Sequence, residues 1–160
     1  MKLVITAVGR AKAATPEQTL FETYVERAQE LGPRLGFTKI ETAIVDTSRA
    51  ATESARREDE AERLSAKIPK GAFLIALDER GKSFESAEFA KLLAGKRDAA
   101  RDVAFLIGGP DGLAPSLRDA AAWNTAFGRQ TWPHMLVRVM LAEQIYRAFS
   151  ILAGHPYHRV

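Results

Sequence analysis

Between Met135 and Ala153 this chain of 160 residues carries only five strongly polar side chains, Arg138, Glu143, Gln144, Arg147 and Ser150. Apolar residues therefore cover nearly the full circumference of the helix that this stretch would form, which at the usual rise runs ~28 Å. A helix apolar almost all the way round is buried on more than one side. Its length approaches that of a membrane span, but the charges at Arg138, Glu143 and Arg147 would each be costly in hydrocarbon. Glu143 and Arg147 also stand four apart in the favourable order. The stretch predicts a helix outside any membrane, with one face on its own core and one on a second subunit.

The residues after that helix narrow the possibilities further. Gly154 is a natural stop and Pro156 cannot continue a helix, yet the chain goes on through His155, Tyr157, His158 and Arg159 rather than a run of Lys and Glu. One reading is a frayed end that happens to hold two histidines. The other is a docked tail lining a site, because histidine, tyrosine and arginine supply proton transfer, stacking and phosphate contact. From residue 120 onward four arginines face Glu143 alone, and that excess equals the whole formal net charge of +3. So small a charge is only a hint of an anionic partner, and its position at one end of the chain is the better hint.

The preceding residues alternate between apolar runs and helical patterns. Residues 2–8 are a near-continuous apolar run that predicts a strand covered on both faces, ended by Gly9. Thr15, Pro16 and Gln18 predict a helix start with a capping box, and Leu20, Tyr24, Ala28 and Leu31 mark its inner face until Gly32 and Pro33 close it. Residues 38–45 read as a second strand. Residues 52–68, rich in both charge signs, predict a largely exposed helix whose charges form a solvated face. Residues 72–77 are a buried strand ending at Asp78-Glu79-Arg80-Gly81. Ser86 is the expected cap of the next helix, with Gly95 just past its end. Residues 103–107 form another strand, followed by a short helix at 116–122, a brief strand at 124–127, and the loop 128–133 that leads into the long helix. Strands alternating with helices imply one α/β domain over residues 1–160, with a parallel-rich sheet and helices on both faces.

In such a sheet, ligands bind beyond the carboxyl ends of the strands. Three strand ends carry unusual residues: Leu77 to Gly81, Gly108-Gly109-Pro110-Asp111-Gly112, and Phe127 with Gly128, Arg129, Gln130, Thr131, Trp132 and Pro133. Neither the dinucleotide fingerprint nor a GxxxxGK[ST] loop is present, and taken alone GGPDG reads more readily as a plain turn. A neutral nucleoside held by backbone amides against Leu77, Phe127 and Trp132 would suit these glycines. His134, His155 and His158 lack metal-ligand spacing, and the absence of cysteine removes disulfides, thiolate metal sites and a cysteine nucleophile. With 46% hydrophobic and 27% charged residues the chain has an ordinary globular composition. The apolar run near the start is too short for a signal peptide, and a cytoplasmic protein is expected.

Leu77-Asp78, Gly81-Lys82, Ser86 to Ala90, the run FLIGGPDGL at 105–113, TWPH at 131–134 with Arg138-Val139, and the ending from Glu143 to Arg159 with GHPYHR together resemble the RlmH (YbeA-type) family, the bacterial 23S rRNA pseudouridine methyltransferases of the SPOUT class. The resemblance spans the chain. It implies an α/β fold with a C-terminal trefoil knot, a homodimer, and S-adenosylmethionine held by Leu77, Gly108 and the loop 127–132. It implies a pseudouridine in helix 69 of 23S rRNA as acceptor, methylated at N3 on the assembled ribosome, with no DNA or membrane partner. On this reading His158, Arg159 and Tyr157 reach the target base, and Arg138 holds the RNA or the imide oxygens. The alternatives are a noncatalytic ribosome-binding module and a SPOUT enzyme acting on a tRNA ribose hydroxyl.

Overall fold

The structure, a computed structural model, describes residues 1–10 and 15–158. Five strands, β1 (Lys2–Val8), β2 (Lys39–Val45), β3 (Phe73–Lys82), β4 (Val103–Ile107) and β5 (Trp123–Thr125), form one sheet in the order β2-β1-β4-β3-β5. Every pairing is parallel. Helices α1 (Pro16–Leu31), α3 (Ser86–Asp98) and α5 (His134–Ala153) cover one face, and α2 (Glu53–Ser65) and α4 (Pro115–Ala120) the other.

A parallel sheet covered on both faces requires strands that are apolar on both sides, and the central strands are. All five residues of β4 are buried, as are six of the seven in β1. Leu3, Ile5, Ile75 and Phe105 share a core with Phe21, Phe89, Leu141, Ile145 and Phe149. On the opposite face Ala76 and Leu106 meet Ala61 and Leu64 of α2 and Leu117 of α4. The buried hydroxyl inside β1, on Thr6, is satisfied by donating from Oγ1 to the Phe105 carbonyl at 2.8 Å.

Several local expectations are corrected by packing. Thr15 does cap α1, accepting from the Gln18 amide, but Gln18 Nε2 donates to Glu22 at 2.6 Å instead of closing a capping box. The inner face of α1 carries the expected Tyr24, Ala28 and Leu31, but Phe21 is buried in place of Leu20, which is 46% exposed. Glu85, not Ser86, precedes α3, and its amide donates to Glu88 at 3.1 Å, which frees Ser86 Oγ to donate to Gln144 of α5. Gly95 lies inside α3, which ends instead at Asp98, with Ala100 turning left-handed. The third strand continues past Asp78: its ladder to β5 shifts between Leu77 and Lys82, so residues 78–81 bulge outward and the chain returns to pair at Lys82. α5 stops where the sequence says it should, at Gly154, whose φ of 64° suits glycine. Among the described residues no helix is long and apolar enough to cross a membrane.

Candidate functional site

The register of the sheet places Ile107, Leu77 and Thr125 side by side at the carboxyl ends of β4, β3 and β5. The loops beyond those residues converge, and the cleft between them holds about 560 Å³. Its walls include Leu77, Ile107, Leu113, Phe127 and Trp132, and its polar lining includes Asp78, Glu79, Thr131 and His134. That volume, with apolar walls and a few directed polar groups, suits a cofactor-sized molecule.

Close backbone packing builds this edge. A Cβ on Gly108 would stand 2.5 Å from the carbonyl carbon of Gly112 and 2.6 Å from the amide nitrogen of Leu113. One on Gly81 would stand 2.5 Å from three backbone atoms of Thr125. Both glycines are therefore required by the approach of a second chain segment. GGPDG is indeed a turn, with the Gly112 amide donating to the Gly109 carbonyl at 2.9 Å, and it is also one wall of the cleft.

The charged helix α2 is not a wholly solvated face, as its composition had implied. Arg56 reaches Asp111 in the turn, and each partner strengthens the other's charged state: the Arg56 hydrogen bond holds the Asp111 carboxyl below its ordinary value, and Asp111 raises Arg56. Glu60 is buried, accepts from the Ser48 amide at 2.8 Å through Oε1, and presents Oε2 within 3.3 Å of where a Gly109 Cβ would be. Across the cleft Asp78 accepts from the backbone and guanidinium of Arg80, both at 3.0 Å; burial opposes its ionisation, but Arg80 outweighs burial and keeps the carboxyl low. No sequence signal marked Arg56 or Glu60.

Of the expected cofactor residues, Leu77, Gly108, Phe127, Gly128, Gln130, Thr131 and Trp132 all line the cleft. Arg129 does not; it is exposed. Thr131 Oγ1 donates to Glu79 at 3.1 Å and Trp132 Nε1 donates to the Phe127 carbonyl at 3.2 Å, bonds that fold the last loop against β3. His134, the first residue of α5, also lines the cleft. Burial, helped by the neighbouring Arg138 charge, pushes its imidazole below the ordinary value, so it is neutral near pH 7.

Of the expected catalytic residues, Arg138, Tyr157 and His158 do not line the cleft in this protomer. Arg138 is 1% exposed, and its Nη2 donates to the carbonyls of Val8 and Gly9, both at 2.6 Å. Its guanidinium thus closes the end of β1 and is buried in this protomer, rather than exposed as the expected RNA-holding role had implied. The tail is docked, but not over the cleft. Tyr157 Oη donates to Glu143 at 3.0 Å, and its ring lies 4.6 Å from that of Tyr146 and 5.0 Å from the Arg147 guanidinium. Burial first, then the bonds to Tyr24 and Glu143, push the Tyr157 phenol far up, so it stays a donor. Glu143 is nine residues along α5 from His134, ~13 Å at the helical rise. His158 comes next, with Nδ1 buried and unpartnered among the described residues, and Arg159 lies outside them.

A fully parallel sheet with loops gathered around a cleft at one edge defines an α/β fold, and comparison with known proteins gives the class. A family model described as "Predicted SPOUT methyltransferase" matches residues 1–158, and the chain belongs to that family. Within it, the relatives are named alike. "Ribosomal RNA large subunit methyltransferase H" of Paracoccus denitrificans is 53% identical over 159 residues, covering 99% of both chains. Its namesake from Cereibacter sphaeroides is 51% identical over the full length of both. Among solved structures, a probable methyltransferase from Bordetella pertussis superposes with a TM-score of 0.52 at 13% identity, covering 92% of this chain and 93% of its own. A probable methylase family protein from Haemophilus influenzae gives 0.51 at 12% identity, covering 99% of this chain and 70% of its own. The expected SPOUT-type architecture, a parallel sheet with helices on both faces, is the observed one.

Proposed function

We propose that this protein is an S-adenosylmethionine-dependent methyltransferase that methylates N3 of a pseudouridine in helix 69 of 23S rRNA, on the assembled ribosome, as a homodimer in the cytoplasm. The observation that carries this reading is the convergence of three strand-end loops, closed by Gly108 and Gly81, on one cleft of about 560 Å³. The names of its full-length relatives support large-subunit rRNA as the acceptor. A noncatalytic ribosome-binding module would have no use for the cleft.

The glycine cradle and the apolar walls fit the donor. Backbone groups around Gly108 and Gly128 would hold its polar parts, and Leu77, Phe127 and Trp132 its adenine. When bound, S-adenosylmethionine would supply a sulfonium methyl to N3 with departure of a thioether, and the N3 proton would pass to a base. The chain's chief tasks are therefore to align acceptor nitrogen with the cleft, exclude water, and accept one proton.

The tail residues Tyr157, His158 and Arg159 act on the target base in this proposal, and because Tyr157 of the same protomer docks midway along α5, they come from a second copy. The outward line of α5, with Leu136 38% exposed and Met140 one turn on, is the surface that such a copy would cover. The test is mass spectrometry of 23S rRNA from a strain lacking this gene. Loss of one methyl from the helix 69 pseudouridine, restored by the wild-type gene but not by His158→Ala, is expected. An unchanged methyl in the deletion strain would overturn the reading.

A further inference from the structure

The bulge at residues 78–81 has two sides. One faces the cleft already described; the other borders a second groove of about 540 Å³ that shares Arg80 and Thr125 with the first. Lys82, Ser83, Phe84, Glu88, Trp123 and Asn124 line it. No part of the methyl-donor site uses them.

The chemistry of this groove is that of a nucleotide subsite. Trp123 is partly buried and its ring lies 5.4 Å from Phe84, which in turn stacks on buried Phe89 at 4.9 Å. The indole is thus braced by a second ring as a flat platform of the kind on which nucleobases stack. Lys82 is exposed and makes no ion pair among the described residues, while Arg80 is exposed with its charge shared with Asp78. Glu88 is engaged by the Glu85 amide, so Lys82 is the cation that a phosphate would meet. Asn124, on the open edge of the sheet, and Ser83 add neutral donors and acceptors that can bond a base edge or a ribose. The exposed large apolar side chains Leu20, Trp132 and Leu136 all lie outside this groove, which favours a polar, anionic occupant over a second copy of the chain.

We propose that this groove binds a nucleotide of the substrate RNA that flanks the modified base, with its base on Trp123 and its phosphate on Lys82. The proposal rests on the methyltransferase reading, since contiguity through Arg80 and Thr125 places the flanking nucleotide beside the donor cleft. A small protein would gain by this route an RNA grip that needs no separate recognition domain.

The chain has two tryptophans, so a Trp132→Phe protein leaves Trp123 as the sole indole reporter. Titration with a six-nucleotide oligouridylate at low salt should quench its fluorescence, and adding Lys82→Glu should weaken that binding about tenfold and lower its salt slope by about one. In the otherwise wild-type enzyme, Lys82→Glu should raise the KM for ribosomes with the Kd for S-adenosylmethionine unchanged. No quench, or a quench and a ribosome KM indifferent to Lys82→Glu, overturns the proposal; so does a change in dimerisation on Lys82→Glu, which would make the groove an interface. Failure of the functional reading looks different: wild-type protein then transfers no methyl, whatever the oligonucleotide does.

Discussion

Arg56 and Asp111, 55 residues apart in the chain, meet in a two-pronged pair, Nε donating to Oδ2 at 2.6 Å and Nη2 to Oδ1 at 3.2 Å. The pair ties the middle of a charged helix to the GGPDG turn, and thus fixes one wall of the cleft from behind.

Replacing Asp111 by asparagine removes the charge while keeping the shape of the turn. Because Arg56 holds the Asp111 carboxyl below its ordinary value, the contribution of the pair is complete above about pH 4 and is lost as the pH falls through the lowered value. The Asn variant should bind S-adenosylmethionine up to about fivefold more weakly at neutral pH, the scale of a solvent-accessible ion pair. It should also lose less stability than wild type as the pH is lowered from about 5 to about 3. Calorimetric titration and melting curves across pH check both.

Gly81→Ala and Gly108→Ala each drive a methyl into backbone that cannot swing aside. A loss of about 1–3 kcal/mol in unfolding free energy is expected for either, as for other overpacked sites, together with loss of donor binding. Gly95→Ala, in the interior of α3 with nothing near its Cβ position, should instead be neutral or stabilising by up to about 1 kcal/mol. Urea unfolding of the three variants gives the comparison.

His134 should titrate below 6.5, because both burial and Arg138 oppose its imidazolium. A histidine with a lowered folded value favours the unfolded chain as it takes up its proton, so its cost to stability is absent above the ordinary value and grows as the pH falls below it. Ring-proton resonances followed by NMR from about pH 8 to about pH 4.5 should give a midpoint under 6.5 for this residue, and His134→Gln should reduce the acid sensitivity of the melting temperature.

Arg138→Met should destabilise the fold by about 2–3 kcal/mol, since two β1-end carbonyls lose a charged donor. In a protein of this size that is a fall of roughly 4–12 °C in Tm. A variant that melts like wild type but binds ribosomes weakly would return Arg138 to the RNA-contacting role that its sequence position suggested.

The strands and the cleft loops are legible because their signals are local. Continuous apolar runs mark β1 and β4, Thr15 marks the start of α1, and glycines mark the turns that end up facing one another. The features that the sequence hides depend on distant partners. Leu20 and Phe21 are adjacent and both apolar, and only packing against α5 and the sheet decides which is buried. Arg56 sits in a run of charges that looks solvated until Asp111 is brought to it. Arg138 falls on a helix whose buried charge is explained only by the carbonyls at the end of β1. Docking of the tail is suggested by its residue types, but the dock itself is set by Glu143 and Tyr146 on α5, which no motif in the tail specifies.

The central claim is that the loops at the carboxyl edge of β3, β4 and β5 hold a methyl donor that is spent on ribosomal RNA. Purified protein incubated with tritium-methyl S-adenosylmethionine and ribosomes from a strain lacking this gene should transfer label to 23S rRNA, within helix 69, and Gly108→Ala should abolish the transfer. Ribosomes that remain unlabelled by a folded wild-type protein, or label transferred undiminished by Gly108→Ala, would contradict the account.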